Sequence, residues 1–175
     1  MAEAIRDLNG VKLIIAGSNY DPELLDRITN SASVEYVGLL RPKEALALEA
    51  RADVMIILYD PRVPINNFAM PNKLFEAMMF GVPVITNVAP EVVNEERCGI
   101  MVNYNDIGQI REAIVRLRDN KGLRRELGEN GRKAFLREYN WTRMEYELDK
   151  AYDNLLGSVI PATDIPDKLP RSRGM

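Results

Sequence analysis

The segment Leu74-Phe75-Glu76-Ala77-Met78-Met79-Phe80 sets one carboxylate, Glu76, among six apolar side chains. An ionised carboxylate taken out of water alone is costly. It must therefore be paired, hydrogen-bonded, protonated, or turned into a cleft where a ligand donates to it. The start of the same segment suits an anion. Asn72 is a good helix N-cap residue, and the first-turn N–H groups beside Lys73 form the positive end of a helix. A phosphate on those N–H groups and a diol on a carboxylate one turn further in would together hold a nucleotide. An acidic side chain gripping a ribose is the device dinucleotide-binding folds use. Without a ligand, the same residues have plainer roles. Glu76 becomes a first-turn carboxylate that the helix dipole favours by about 0.3–1 kcal/mol. Lys73 becomes a solvated side chain, and Met70, Met78 and Met79 become core filling.

The rest of the composition removes other chemistries. The chain has 175 residues, 46% hydrophobic and 28% charged, the balance of one ordinary globular domain. It contains no histidine, which rules out a Ser-His-Asp triad and most zinc sites, and no metal site is assigned. Its one cysteine, Cys98, can form no internal disulfide, which suits a reducing compartment; it is assigned as a small buried hydrophobe. The net charge of -3 argues against nucleic acid as a partner. The local basic cluster Arg124, Arg125, Arg132 and Lys133 is interleaved with acids. It is assigned to a solvated helix face, with peripheral contact to an anionic membrane as the alternative. No apolar run approaches the roughly 20 residues that span a bilayer, and the N-terminus lacks the apolar stretch of a signal peptide. The expectation is a soluble, cytoplasmic protein.

The elements that must position Glu76 alternate between short apolar runs and amphipathic stretches. Strands are expected at 11–16, 34–37, 53–59, 83–87 and 100–103. The continuous apolar run from Asp53 to Tyr59 implies burial on both faces, as in a parallel sheet. Helices are expected around 4–8, after Asp21-Pro22, from Pro42 to about Ala52, from Asn72 to Phe80, and after Asp106. Beyond that the chain is helical to about Leu156, with a break near Asn140-Trp141. The alternation predicts an α/β fold, a Rossmann-like, doubly wound parallel sheet with a helical C-terminal end. It spans residues 1–156, and residues 157–175 form a flexible tail. In such sheets ligands bind outside the carboxyl ends of the strands. Those ends are Gly17-Ser18-Asn19, Gly38, the loop from Asp60 to Met70, and Asn87 to Glu91. Within the loop, Asn66 and Asn67 are the polar candidates.

The stretch Met70-Pro-Asn-Lys-Leu-Phe-Glu-Ala-Met-Met-Phe-Gly-Val-Pro-Val-Ile85 resembles a signature of the retaining "group 1" glycosyltransferases. These have two Rossmann-like domains, the GT-B architecture, and the match is to their PNKLFE-type branch. Weaker pieces follow in the family's order: Val11 to Gly17, Val34 to Gly38, Ala52 to Leu58, Cys98-Gly99-Ile100, and Phe135 to Trp141. The resemblance covers about residues 1–156 and implies the C-terminal, donor-binding half of such an enzyme. The donor would be a nucleoside diphosphate sugar used as substrate, with no cofactor and with hexosyl transfer to an acceptor. Glu76 would hold the ribose hydroxyls, and Lys73 and the backbone from Asn72 to Leu74 would face the diphosphate. Gly17 and Asn67 would lie at the donor. No catalytic residue is assigned.

The resemblance also marks two departures. Many members carry a second Glu eight positions before the ribose-binding one, where this chain has Phe68. The family's Arg and Lys for the diphosphate lie on a central strand and loop ahead of the segment resembling Val11 to Gly17. The expected partner is therefore an N-terminal acceptor domain or a separate acceptor subunit, and this chain should bind donor far better than it transfers sugar. The readings weighed beside this one are a non-catalytic nucleotide-sugar-binding subunit, a receiver-type signalling domain with Asp60 as phosphoacceptor, and a sugar-nucleotide epimerase.

Overall fold

The computed structural model describes residues 1–18 and 21–159, so Asn19 and the part of the expected tail from 160 to 175 lie outside the described residues. Five short strands alternate with helices: α1 (Ala2–Ile5), β1 (Leu13–Ile15), α2 (Pro22–Thr29), β2 (Val34–Tyr36), α3 (Pro42–Glu49), β3 (Met55–Ile57), α4 (Asn72–Phe80), β4 (Val84–Thr86), α5 (Pro90–Glu95), β5 (Gly99–Met101), α6 (Ile107–Asp119), α7 (Lys121–Arg137) and α8 (Trp141–Val159). Two compact units divide between Leu136 and Arg137, and all the strands belong to the first.

The helix starts follow the side chains that can cap them. Asp21 accepts a hydrogen bond from Leu24 N at 2.9 Å with Pro22 opening α2, and Asp106 accepts one from Gln109 N at 2.9 Å to open α6. In the second unit Asn140 does the same for α8, accepting from Arg143 N at 3.0 Å. One cap differs from expectation. Asn72 is the first helical residue of α4, and the cap position is held by Pro71, in an extended conformation and with no side-chain cap. Helix α5 was not expected from sequence, because its six residues are too few to show a 3.6-residue period.

All the strand pairs are parallel, as the continuous apolar runs require. They form two pieces and not one continuous sheet: β1 pairs with β2, while β4 lies between β3 and β5. One core joins the pieces. Val34 of β2 and Ile85 of β4 are buried in the same cluster as Ile5 of α1 and Ile110, Ile114 and Leu117 of α6, with Ile15 and Ile56 packed against it. The first residue of β5, Gly99, must lack a side chain, because a Cβ there would meet Val84 Cγ2 and Val84 O, each at 2.4 Å.

Cys98 is buried, 1% exposed, and burial pushes its thiol up from an ordinary value of 9.0 to about 11. The fold favours the neutral thiol. The associated stability is complete below pH about 9 and is lost as pH rises through about 11. The loss amounts to roughly 2–3 kcal/mol. Urea denaturation across that window should show it in the native chain and not in Cys98→Ala. Identical pH profiles would rule this contribution out.

Candidate functional site

Helix α4 leaves the carboxyl end of β3 through the 60–70 loop and returns the chain to β4 alongside it, so its first turn faces the ligand side of the sheet. Leu74, Ala77 and Met78 form the buried face of α4, while Asn72 and Lys73 are exposed and Glu76 is partly so. Leu74 N donates to Pro71 O at 3.0 Å, which leaves the N–H groups of Asn72 and Lys73 as first-turn donors without an acceptor inside the helix. The helix ends on Gly81, whose left-handed backbone (φ 68, ψ 32) lets Gly81 N donate to Met78 O and Val82 N to Ala77 O.

Three side chains meet at the start of α4. The Lys73 ammonium donates a short hydrogen bond to Glu49 Oε1 and lies 2.9 Å from Glu76 Oε2. The side chains of Glu49, Glu76 and Lys73 are 13%, 28% and 50% exposed. Glu76 Oε2 meets the ammonium as an ion pair. Both it and Glu49 Oε2 are buried without a hydrogen-bond partner. Partial burial pulls the Lys73 pKa down, but Glu49 and then Glu76 outweigh it and hold the ammonium above its ordinary value.

Glu76 is thus not a lone carboxylate: its partner is the lysine three residues before it. That lysine in turn is held by Glu49, which sequence reasoning did not single out. Glu49 sits at the end of α3 with an unremarkable pattern around it, and no local signal marks it as meeting a residue 24 positions away.

The other predicted residues stand on neighbouring strand ends. Gly17 follows β1 with φ 138, a backbone that favours glycine; its carbonyl accepts from Tyr36 Oη at 2.7 Å, and its N–H donates to Gly38 O at 2.9 Å. Asn67 lies in a short 3-10 helix, Pro64–Phe68, and donates to Pro61 O at 3.3 Å. Asn67, Phe68 and Met70 line a cleft of about 230 Å³ with Ala89, Pro90 and Glu91, between the loops that follow β3 and β4. Phe68 is 89% exposed and Met70 is 52% exposed, so Met70 is not core filling, whereas Met78 is buried. Asn87 stands at an expected strand end, but its tie to Tyr59 was not read from sequence. Its side chain accepts from Tyr59 N at 2.9 Å and donates to Tyr59 O at 2.8 Å, tying the ends of β3 and β4 together.

Asp60, the phosphoacceptor of the receiver reading, has its carboxylate engaged by Arg62 through contacts of 2.6 to 3.0 Å. That guanidinium holds it below the usual carboxylate range. Among the described residues no cluster of acids, Cys or His could hold a metal ion, and no helix is long and apolar enough to cross a membrane.

Residues 1–120 match the family described as glycosyl transferases, group 1. An uncharacterized glycosyltransferase of Methanocaldococcus jannaschii is 24% identical over 150 residues, which cover 82% of this chain and 37% of that protein. The MMP alpha-(1->4)-mannosyltransferase of Mycolicibacterium hassiacum is 29% identical over 126 residues, covering 69% of this chain and 29% of that protein. Among solved structures, sucrose-phosphate synthase from Thermosynechococcus elongatus shares the fold. It matches with a TM-score of 0.73 at 23% identity, over 90% of this chain and 41% of that one. The chain thus spans less than half the length of each of these proteins.

Proposed function

The chain belongs to the group 1 glycosyl transferases, and from that premise we propose that it is the C-terminal, donor-binding half of a retaining enzyme that transfers a hexosyl unit. The observation that carries this reading is the first turn of α4. Two N–H groups and an ammonium stand at the ligand side of a parallel sheet, and a partly exposed carboxylate lies one turn further in. A nucleoside diphosphate fits that spacing, with its phosphates on the Asn72 and Lys73 N–H groups and its ribose hydroxyls donating to Glu76. Gly17 and the Asn67 loop flank the donor, and the loop contacts the sugar. The chemistry assigned to the protein is positioning of the donor and stabilisation of the departing nucleoside diphosphate, with no cofactor. Sugar transfer belongs to this half acting with an N-terminal acceptor domain or a separate acceptor subunit, in the cytoplasm. The lengths of the relatives, each more than twice the span matched here, support that division.

A second reading, a nucleotide-sugar-binding subunit that is not itself catalytic, is favoured by the same lengths. It shares the same pocket and differs only in needing another chain. Calorimetric titration of the chain with UDP, GDP and ADP tests both readings. One of the three should bind with a 1:1 stoichiometry, which also identifies the base. A folded chain that binds none of them would overturn the donor-site reading. If the binding chain also turns over a matching sugar nucleotide rapidly with no second protein, the division of labour falls instead.

A further inference from the structure

We propose that Glu49, from a helix outside the Met70 to Ile85 motif, is a positioning residue for the donor site. By holding the Lys73 ammonium at the buried Oε2 of Glu76, it leaves Glu76 Oε1 to accept the ribose hydroxyls. The proposal rests on the donor-binding reading and names a residue which that reading lacks.

Three observations carry it. First, the ammonium is not shared equally. It donates a hydrogen bond to Glu49 Oε1, while at 2.9 Å Glu76 Oε2 meets it as an ion pair. Glu49 therefore decides where the ammonium sits. Second, Glu49 is the most enclosed of the three groups, 13% exposed against 28% for Glu76 and 50% for Lys73. It is the fixed point of the chain Glu49–Lys73–Glu76, because a lysine on a flexible four-carbon stem goes where its anchor is. Third, Glu76 Oε2 is buried although its side chain is more than a quarter exposed, so the ammonium backs the carboxylate from the inner side.

Without the Glu49 charge, the carboxylate left to Lys73 is Glu76, three residues along the same helix, where such pairs meet readily. The ammonium would then close over Glu76 and compete with ligand hydroxyls for its lone pairs. The same change removes one negative charge near the phosphate position. Loss of Glu49 should therefore act in opposite directions on the two ends of a nucleotide: a weaker hold on the diol and a stronger one on the phosphates. A residue with a merely structural role would weaken both.

The test uses whichever of UDP, GDP or ADP binds, together with its 2′-deoxy counterpart, on the whole chain. The ratio of the two Kd values reads the grip on the ribose. The native chain should prefer the ribonucleotide by about tenfold, and Glu76→Gln should bring the ratio close to one. Glu49→Gln should cut the ratio at least about threefold, which corresponds to losing part of one charged hydrogen bond, while binding of inorganic pyrophosphate strengthens. In a Lys73→Met background, adding Glu49→Gln should change the ratio no further, because Glu49 acts only through the ammonium.

If Glu76→Gln abolishes the preference and Glu49→Gln leaves it at the native value, the proposal falls and the donor site stands. If Glu76→Gln leaves the preference intact, the donor-site reading fails and the proposal with it. Thermal melts show whether each variant is folded. Should Glu49→Gln not fold, Glu49→Asp keeps the charge but shortens its reach, and the same fall in the ratio is expected of it.

Discussion

Glu76→Ala is expected to leave the chain folded and to weaken nucleoside diphosphate binding tenfold or more. A carboxylate that accepts hydroxyl hydrogen bonds contributes roughly 1.5–3 kcal/mol, and each 1.4 kcal/mol is about a factor of ten in Kd. The protein should tolerate the change for a reason visible in the ion pairs. Removing Glu76 does not strand a buried cation, because Lys73 is half exposed and keeps its hydrogen bond to Glu49. Loss of one partly exposed ion pair costs at most about 1 kcal/mol. Calorimetry beside a thermal melt separates the two effects. Native affinity in the folded variant would remove Glu76 from the site.

The largest effect on stability is expected at Gly128, on the helix that braces α4 from behind. A Cβ at this position would lie 2.0 Å from Gly81 O and 2.9 Å from Gly81 C. Both are backbone atoms, so no rotamer change relieves the clash. Gly81 cannot easily yield either, because its left-handed conformation closes the end of α4. In Gly128→Ala the helix α7 must therefore back away from the α4–β4 turn. This would also strain the hydrogen bond that Arg132 donates to Met79 O. Overpacking of this kind costs about 3 kcal/mol or more, a large share of a typical total of about 5–15 kcal/mol. For a chain of this size that lowers Tm by roughly 6–12 °C. Gly131→Ala is the control. Its Cβ would meet Cys98 Cβ at 3.2 Å and Met78 Cγ at 3.4 Å, and the Met78 side chain can shift, so the drop in Tm should be clearly smaller. A Gly128→Ala protein that melts with the native chain would show that α7 is not seated on Gly81 as described.

The two predictions meet at one helix. Glu76 is held toward the ligand side of the sheet only while α4 is seated. Leu74 and Met78 on its buried face and Gly128 and Gly131 of α7 behind it set that seat. Gly128→Ala should therefore also weaken nucleotide binding, although Gly128 touches no part of the proposed site.

Much of this arrangement was legible in the chain itself, and the legible parts share a physical basis. Helix and strand identity came from local periodicity and local capping: the apolar run at Asp53 to Tyr59, Asp21 before Pro22, Asp106 before the stripe of Ile110, Ile114 and Leu117. These depend on residues within one or two turns of each other, and such order is written in sequence. The motif around Glu76 was legible for the same reason, since Lys73, Glu76 and Gly81 lie within nine residues. Even there the cap of α4 moved by one residue, although the helix spans the expected residues. Pro71 and not Asn72 takes the cap, because an extended proline already supplies the carbonyl that Leu74 N needs.

What only the tertiary structure decided depends on segments distant in sequence. The pairing of Lys73 with Glu49 needs α3 and α4 packed side by side, and nothing near Glu49 announces it. The division of the strands into β1-β2 and β3-β4-β5 is a matter of which backbones exchange hydrogen bonds, which hydrophobic pattern does not specify. The tie between Asn87 and Tyr59 and the close approach of Gly128 to Gly81 exist only once helices and strands have docked. Sequence placed a carboxylate and a lysine at the start of a helix; packing supplied the second carboxylate that determines which way the lysine turns.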